Sequence, residues 1–304
     1  MKKKELNAVS DSSNFLLSAI FTIGAILCIL PILLIVMISV SDERMILEYG
    51  YRFIPKVFSI AAYQFLLKDF TLVGRAYSVT ILVTLIGTVA NVIINSLYAY
   101  VISRKDFPYR RFFSMIVLFT LLFSGGIAPF YYVYVNLLHA KNTLFALILP
   151  GLNLGFNVFI VRTFFTQNVP VEVIESSRID GASELRTFFQ IVIPMSLPIL
   201  ATIALFSSIY YWNDFFNSML FIDKGNLFSL QFTMQRSLMN LEFLKTNLSR
   251  IGGASANVLD SIAEIPSEGV RMAMVVVGIG PIVLAYPFLQ RYFVKGLTVG
   301  AVKG

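Results

Sequence analysis

Six stretches of this chain are free, or nearly free, of ionised side chains: residues 14–40, 76–102, 112–135, 143–161, 196–222 and 272–290. Together they hold 143 of the 304 residues but only one of the 41 charged side chains, Asp214. The shortest of them, 19 residues, is long enough to cross a hydrocarbon core of about 30 Å as a helix. A bilayer offers no water to the backbone, so a spanning segment has to bond internally as a helix or close into a barrel. Uninterrupted apolar runs of this length fit only the helix. The chain is 57% apolar and 13% charged, against roughly 45–50% apolar in soluble domains, which excludes a water-soluble enzyme. The same hydrophobicity excludes disorder. The expected fold is an all-α polytopic membrane protein, one membrane domain over 1–304 with six transmembrane helices.

Lys2, Lys3 and Lys4 resemble the start of a signal peptide, but the apolar run at 14–40 far exceeds a 7–15-residue h-region. It reads as a retained span, with Pro31 placed to kink it. Orientation follows the Lys and Arg of the flanks. With both termini inside, the cytoplasmic segments hold 13 of the 24 Lys and Arg in 70 residues, and the outer ones hold 11 in 91. The short loop 103–111 carries Arg104, Lys105, Arg110 and Arg111, whereas 136–142 carries Lys141 alone. Both termini are therefore expected in the cytoplasm, with a long extracellular loop at 223–271 and a cytoplasmic tail at 291–304. Net charge +7 reads as loop charge rather than a nucleic-acid surface. One cysteine, Cys28, forbids an internal disulfide, and one histidine, His139, leaves too few ligands for a Cys/His zinc site. No metal site is expected.

Polar residues within the spans are costly unless they face protein or water. Thr84, Thr88, Asn91, Asn95 and Tyr98 share one helical face by their spacing. Asn153 and Asn157 form an i,i+4 pair beside Gly151 and Gly155, a small-xxx-small spacing that lets helices approach. Tyr210, Trp212, Asn213, Asp214 and Asn217 cluster within two turns. Interhelical hydrogen bonding is one reading of these groups. The other is a translocation path, since amides and hydroxyls bond polyols and aromatic faces stack on sugar rings; Asn91, Asn95, Asn153, Asn157, Tyr210, Trp212, Asn213, Asp214 and Asn217 are its candidates. Ser124–Gly125–Gly126 with Pro129, and Gly278, Gly280 and Pro281, interrupt the third and sixth spans.

The stretch 170–198 reads PVEVIESSRIDGASELRTFFQIVIPMSLP. Pro170 suits a helix start and Glu172 and Glu175 suit its early turns. Asp180–Gly181 breaks that helix. A second short helix restarts near Ser183 and is expected to end before Pro194. Val171, Ile174, Leu185, Phe188 and Phe189 offer apolar faces for docking.

Here the chain resembles the membrane permeases of bacterial ABC importers. Their cytoplasmic signature, Glu-Ala-Ala, three residues, Gly, then Ile-x-Leu-Pro, is matched by Glu175-Ser176-Ser177, Gly181 and Ile191-Val192-Ile193-Pro194. Serines replace both alanines and Ile193 replaces Leu, while Asp180-Gly181-Ala182 and Pro198 match the carbohydrate-type form. The segments FSGGIAPFYYVYVNLLHAKNTLFALILPG, FNVFIVRTFF, YWNDFF and LQRYFVKGLTVGAVKG are similar to the maltose-transporter-type group, closest to its branch for complex oligosaccharides and polysaccharide fragments.

The resemblance implies an ABC type I importer permease fold in the bacterial cell membrane, with 170–195 as the coupling-helix segment docking on an ATPase. Its coupling residues are Glu175, Ser176, Ser177, Asp180, Gly181, Ala182, Ile191 and Pro194. The implied partners are a second homologous permease forming a heterodimer, two ABC ATPase subunits holding ATP and Mg, an extracellular solute-binding lipoprotein, membrane lipid and a carbohydrate. This chain would catalyse nothing and hold no cofactor. Gly296 to Lys303 misses the phosphate-loop spacing and its closing hydroxyl residue. Permeation of a non-sugar solute is the first alternative. An ATP-independent carrier is the second, weakened because Asp214 is the only ionisable residue in the spans. An intramembrane protease lacks its Ser–His or paired-acid machinery.

Overall fold

The computed structural model describes residues 11–152, 155–251 and 267–283. Among them the chain is mostly helical, and its only extended pairing is a bridge between Ser41 and Phe58. In chain order the helices are α1 (Asp11–Ser39), α2 (Glu43–Tyr49), α3 (Ala61–Leu66), α4 (Phe70–Ser103), α5 (Arg110–Leu122), α6 (Ile127–Tyr132) and α7 (Leu144–Ile148). They continue with α8 (Gly155–Asn168), α9 (Val171–Ile179), α10 (Glu184–Thr187), α11 (Ile193–Met195), α12 (Leu197–Asn213), α13 (Phe216–Phe221) and α14 (Leu230–Ile251). A last helix, α15, covers 267–283. The chain divides into two compact units, 1–68 with 238–279, and 69–237 with 280–304.

Two single helices are long and apolar enough to cross a membrane, Ser13–Ser39 and Phe70–Ser103. Three more expected spans are bent or broken. The third turns by 115° between Arg110–Leu122 and Ile127–Leu137. The break falls at Ser124–Gly126, where Gly126 has φ +83 and begins α6. At about 1.5 Å per residue, the 13 residues of α5 rise only about 20 Å, and the third span is interrupted at the glycines where an interruption was expected. The fourth is divided into α7 and α8, and α8 continues to Asn168 beyond the expected limit at 161. The fifth stops at Asn213 and resumes as α13. The sixth is helical from 267 to 283, and its remainder lies outside the described residues. Pro31 sits inside α1 without interrupting it.

In the first unit α1 presents its apolar side chains outward, with Phe15 and Phe21 about three-quarters exposed. Asp42 caps α2, its Oδ1 accepting from the Arg44 and Met45 backbone N–H groups at 3.1 and 3.4 Å. The neighbouring Glu43 is buried, and the reason lies at the start of α15 as described. Its carboxylate accepts from Ser267 Oγ at 3.1 Å and from the Glu268 and Gly269 backbone N–H groups at 2.9 Å each. A helix N-terminus has unsatisfied donors and positive dipole character, so a carboxylate there is stabilised on both counts. Residues 230–251, within the expected outer loop, form the continuous helix α14.

In the second unit α4 is the organising element, packing lengthwise along α8 and α12. Gly87 lets α4 receive the Tyr211 ring: a Cβ there would lie 2.6 Å from two ring atoms. Gly151 does the same from the other side, where a Cβ would meet Tyr210 and Tyr211 at 2.6 Å. Seated between the two glycines, Tyr211 is buried and donates its hydroxyl to the Ile148 carbonyl at 2.8 Å.

Candidate functional site

The segment 170–195 folds as the expected helix, glycine turn and helix. Helix α9 ends in two backbone hydrogen bonds, Gly181 N–H to the Arg178 carbonyl at 3.0 Å and Ala182 N–H to the Ser177 carbonyl at 2.9 Å. That pairing requires a left-handed residue, and Gly181 supplies it with φ +78. Asp180 is the cap residue before it. Ser183 then caps α10 by accepting from the Arg186 backbone N–H at 3.3 Å.

Serine at the second alanine position of the signature has a use. Ser177 is buried, and its hydroxyl lies 2.7 Å from the Ile174 carbonyl and 2.9 Å from Thr187 Oγ1. The Ser177–Thr187 pair, buried on both sides, joins α9 to α10. Glu175, Ser176 and Asp180 stay exposed.

Two expectations for this segment are corrected. First, the second helix does not end before Pro194. It runs through a π-turn at Phe188–Val192 into α11 and turns at Ser196, bending 86° into α12. A widened turn just before a proline accommodates its missing N–H and the crowding of its ring against the preceding turn. Ile191 is half-buried in that turn and Pro194 is exposed. Second, the apolar residues divide between two tasks. Ile174 and Phe188 are buried with Tyr100, Val161 and Phe165 in the unit's own core. Val171, Ile179, Leu185 and Phe189 are half or more exposed, with Ile179 at 87%.

The charges of the segment are tied back to α4. Arg178 donates through Nη1 to Asp106 Oδ2 at 2.8 Å and through Nε to Glu184 Oε1 at 2.9 Å. Arg104 holds the same Asp106 with a two-point grip, Nε to Oδ1 at 3.1 Å and Nη2 to Oδ2 at 3.0 Å. Tyr100 closes the ring, its hydroxyl accepting from Arg104 Nη1 at 3.0 Å and donating to Glu184 Oε2 at 2.7 Å. The electrostatics follow the geometry. The hydrogen bonds from Arg104, joined by those from Arg178, overcome burial and hold the Asp106 carboxyl down at about 2. For Glu184 burial is the largest influence and opposes ionisation, but hydrogen bonds from Tyr100 and Arg178 outweigh it and lower its pKa. Sequence reasoning noted Arg104 only as a loop charge, because nothing local pairs Asp106 with Arg178, 72 positions on.

The polar residues proposed for a path separate into two groups. Asn91, Asn95 and Asn157 are buried in helix packing. Asn91 Nδ2 donates to the Gly151 and Leu152 carbonyls at 2.6 and 3.2 Å, and Asn95 Nδ2 to the Asn91 and Leu152 carbonyls at 2.7 and 2.9 Å. Asn157 Nδ2 and Ser207 Oγ converge on Asn91 Oδ1 at 3.4 and 2.6 Å. The arrangement is that of interhelical hydrogen bonding among α4, α8 and α12, and Ser207 belongs to it although its type and position gave no warning. Asn217 is buried and donates to Asp214: its backbone N–H reaches Oδ1 at 3.1 Å and its Nδ2 reaches Oδ2 at 2.8 Å. Asp214, the one acid within the expected spans, thus caps the restart of the chain at α13. Trp212 is buried with Ala76 and Leu230. Tyr210 is half-buried and Asn213 exposed. Asn153 lies outside the described residues, as does the tail at 291–304.

An open cleft of about 470 Å³ lies beside the break in the third span, lined by Ser124, Gly126, Phe130, Val133, Tyr134 and Phe216. Its wall combines exposed backbone at the glycines with three aromatic rings. The sequence marked the glycine break but not these rings. Among the described residues no group of three or more His, Cys, Asp or Glu could hold a metal.

Comparison with known proteins agrees with this architecture. Residues 103–299 match the model of a family described as binding-protein-dependent transport system inner membrane component. The chain is 34% identical over 280 residues to the polygalacturonan/rhamnogalacturonan transport system permease protein YtcP of Bacillus subtilis (strain 168), covering 92% of this chain and 94% of that one. It is 27% identical to the arabinooligosaccharides transport system permease protein AraQ of Halalkalibacterium halodurans over the whole of both chains. The structure of a bacterial ABC transporter that imports the acidic polysaccharide alginate contains a chain with TM-score 0.76 and 25% identity, covering 94% of this chain and 99% of that one. With a matching family model across most of its length and relatives aligned nearly end to end, the chain belongs to the family of inner-membrane components of binding-protein-dependent transport systems.

Proposed function

We propose that this chain is one permease half of an ATP-driven importer of oligosaccharides or polysaccharide fragments. The observation that carries the reading is end-to-end similarity to a permease for polygalacturonan and rhamnogalacturonan, joined to a formed helix–glycine–helix segment at the family's signature. The chain pairs with a second permease, and each half carries one ABC ATPase on its coupling segment. ATP and Mg reside in those ATPases, and an extracellular solute-binding lipoprotein delivers the sugar. With six spans both termini share one side, and the Lys and Arg of loop 103–111 support the cytoplasm as that side, so that 103–111, 170–195 and 291–304 face the ATPases and 223–271 faces the binding protein.

Exposed Ile179, Leu185 and Phe189 supply the apolar contact with the ATPase, around Glu175, Ser176, Asp180 and Gly181. The buried Asn91, Asn95 and Asn157 set the shape of the path from behind. Sugar contact falls to surfaces that are open: Asn213, Tyr210 and the aromatic cleft of Phe130, Tyr134 and Phe216. Aromatic faces suit pyranose rings, and the exposed backbone at Gly125 and Gly126 bonds hydroxyls.

The test is purification of the membrane complex in mild detergent through a tag on this chain. The expected preparation contains a second permease and an ABC ATPase, and binds a lipoprotein loaded with an oligosaccharide identified by mass spectrometry. A loaded lipoprotein carrying a peptide or amino acid would favour the non-sugar alternative.

A further inference from the structure

The ring of Tyr100, Arg104, Asp106, Arg178 and Glu184 has no assigned task, and its connectivity gives it one. The coupling segment is covalently continuous with α12, but through a near right-angle bend of 86° at Ser196. A bend of that kind transmits a push poorly unless the segment is held at a second point. The ring is that second point. It joins α9 through Arg178 and α10 through Glu184 to the last turn of α4 through Tyr100 and to the following loop through Arg104 and Asp106. Helix α4 in turn packs along both α8 and α12.

We propose that this ring is a positioning clamp that makes the coupling segment and α4 move as one rigid body, so that Arg104 and Asp106 set how much ATP is spent per sugar imported. The proposal rests on the transporter reading above and adds residues outside the coupling segment.

Isolated surface ion pairs contribute little, roughly 0–1 kcal/mol. This ring differs in three respects. Asp106 is held at two points by Arg104, a geometry that fixes orientation as well as charge. The Arg104 side chain is only 12% exposed. The Tyr100 ring packs at a tilt against Phe188, centroids 5.4 Å apart, and Phe188 is itself buried in the core. Rigid-body motion of packed elements about an interface is one established form of such transitions, and these contacts make the coupling segment and α4 such a body.

The experiment uses the complete transporter, with partner permease, ATPases and binding protein, in proteoliposomes. ATP hydrolysed per sugar imported is measured for Asp106→Ala, Arg178→Ala and the double variant. Each single change is expected to raise the ratio about fivefold or more, the lower range of typical coupling effects, while the ATPase still co-purifies. The double variant is expected to be no worse than the poorer single, because both remove the same link. An unchanged ratio, or effects that multiply, would overturn the clamp.

A second measurement guards against loss of fold. In a Cys28→Ser background, Asp106→Cys with Arg178→Cys is joined by a short bis-methanethiosulfonate cross-linker. The covalent link is expected to restore the low ratio, and reductant to abolish it again. Cross-linking that arrests transport would mean that the ring opens during the cycle, which contradicts a rigid clamp. A wild-type complex without ATP-dependent uptake would instead refute the transporter reading itself.

Discussion

Ser207 donates its hydroxyl to Asn91 Oδ1 at 2.6 Å, joining α12 to α4 across 116 positions of sequence. The same oxygen receives Asn157 from α8, so one amide ties three helices together. Replacing Ser207 with Ala removes the shorter of the two bonds. Measured side-chain bonds between membrane helices average about 0.6 kcal/mol and reach about 1.7. Ser207→Ala is expected to lower stability within that range, and Asn91→Leu more, because it also strands Ser207 and Asn157 without their shared acceptor. Thermal unfolding in detergent checks the ranking; an Asn91→Leu protein as stable as wild type would contradict it.

Tyr211 depends on two glycines. A Cβ at Gly87 or Gly151 would lie 2.6 Å from its ring, so either alanine variant forces the ring or a helix to move. Overpacking of this kind costs typically about 1–3 kcal/mol. Gly87→Ala is expected to lower the Tm, and adding Tyr211→Leu to recover part of the loss by removing the ring that clashes. A double variant less stable than either single would show that Gly87 is needed for another reason.

At Gly181 the demand is conformational. An added Cβ meets nothing within 4 Å, but φ is +78. A left-handed residue other than glycine costs roughly 1–2 kcal/mol, with Asn the best tolerated. The expected order of uptake is wild type, then Gly181→Asn, then Gly181→Val. Gly181→Trp adds bulk at the docking face and is expected to separate ATP hydrolysis from uptake. Equal uptake by the Asn and Val variants would remove the backbone argument.

The pH response of the ring follows from its lowered carboxyl groups. A carboxyl held below its ordinary value contributes fully above that value and loses its contribution as pH falls through the folded one. For Asp106 the window runs from its ordinary value of 3.8 down to about 2, and Glu184 is displaced in the same direction. ATP hydrolysed per sugar is therefore expected to stay flat between about pH 6 and pH 8. A stepwise loss of coupling within that interval, measured at constant binding-protein saturation, would place the controlling group elsewhere.

The apolar, mostly helical architecture was legible because charge segregation is a composition effect that survives any detail of packing. Gly181 and Ser183 were legible too, since a left-handed turn and a helix cap are local requirements satisfied by single residues. Long-range pairings were not. Arg178 reads as a solvated charge on its helix until the fold brings Asp106 to it. Asn91 and Asn95 share a face of α4 by spacing, but spacing does not say whether that face meets water or another helix such as α8 with its Asn157. Helix bends were half legible: the glycines at 125 and 126 marked where the third span breaks, while the 115° turn depends on packing. Pro194 misled because the π-turn before it removes the conflict that normally ends a helix.

The central claim is that this chain moves a glycan only when an ATPase drives it through the coupling segment. Proteoliposomes carrying the full complex, with a labelled oligogalacturonide and its binding protein outside, test it directly. Uptake is predicted to exceed the external concentration with ATP enclosed and to vanish without ATP or with the ATPase omitted. Entry that simply equilibrates the sugar, at the same rate with and without ATP, would contradict the account and identify an ATP-independent carrier.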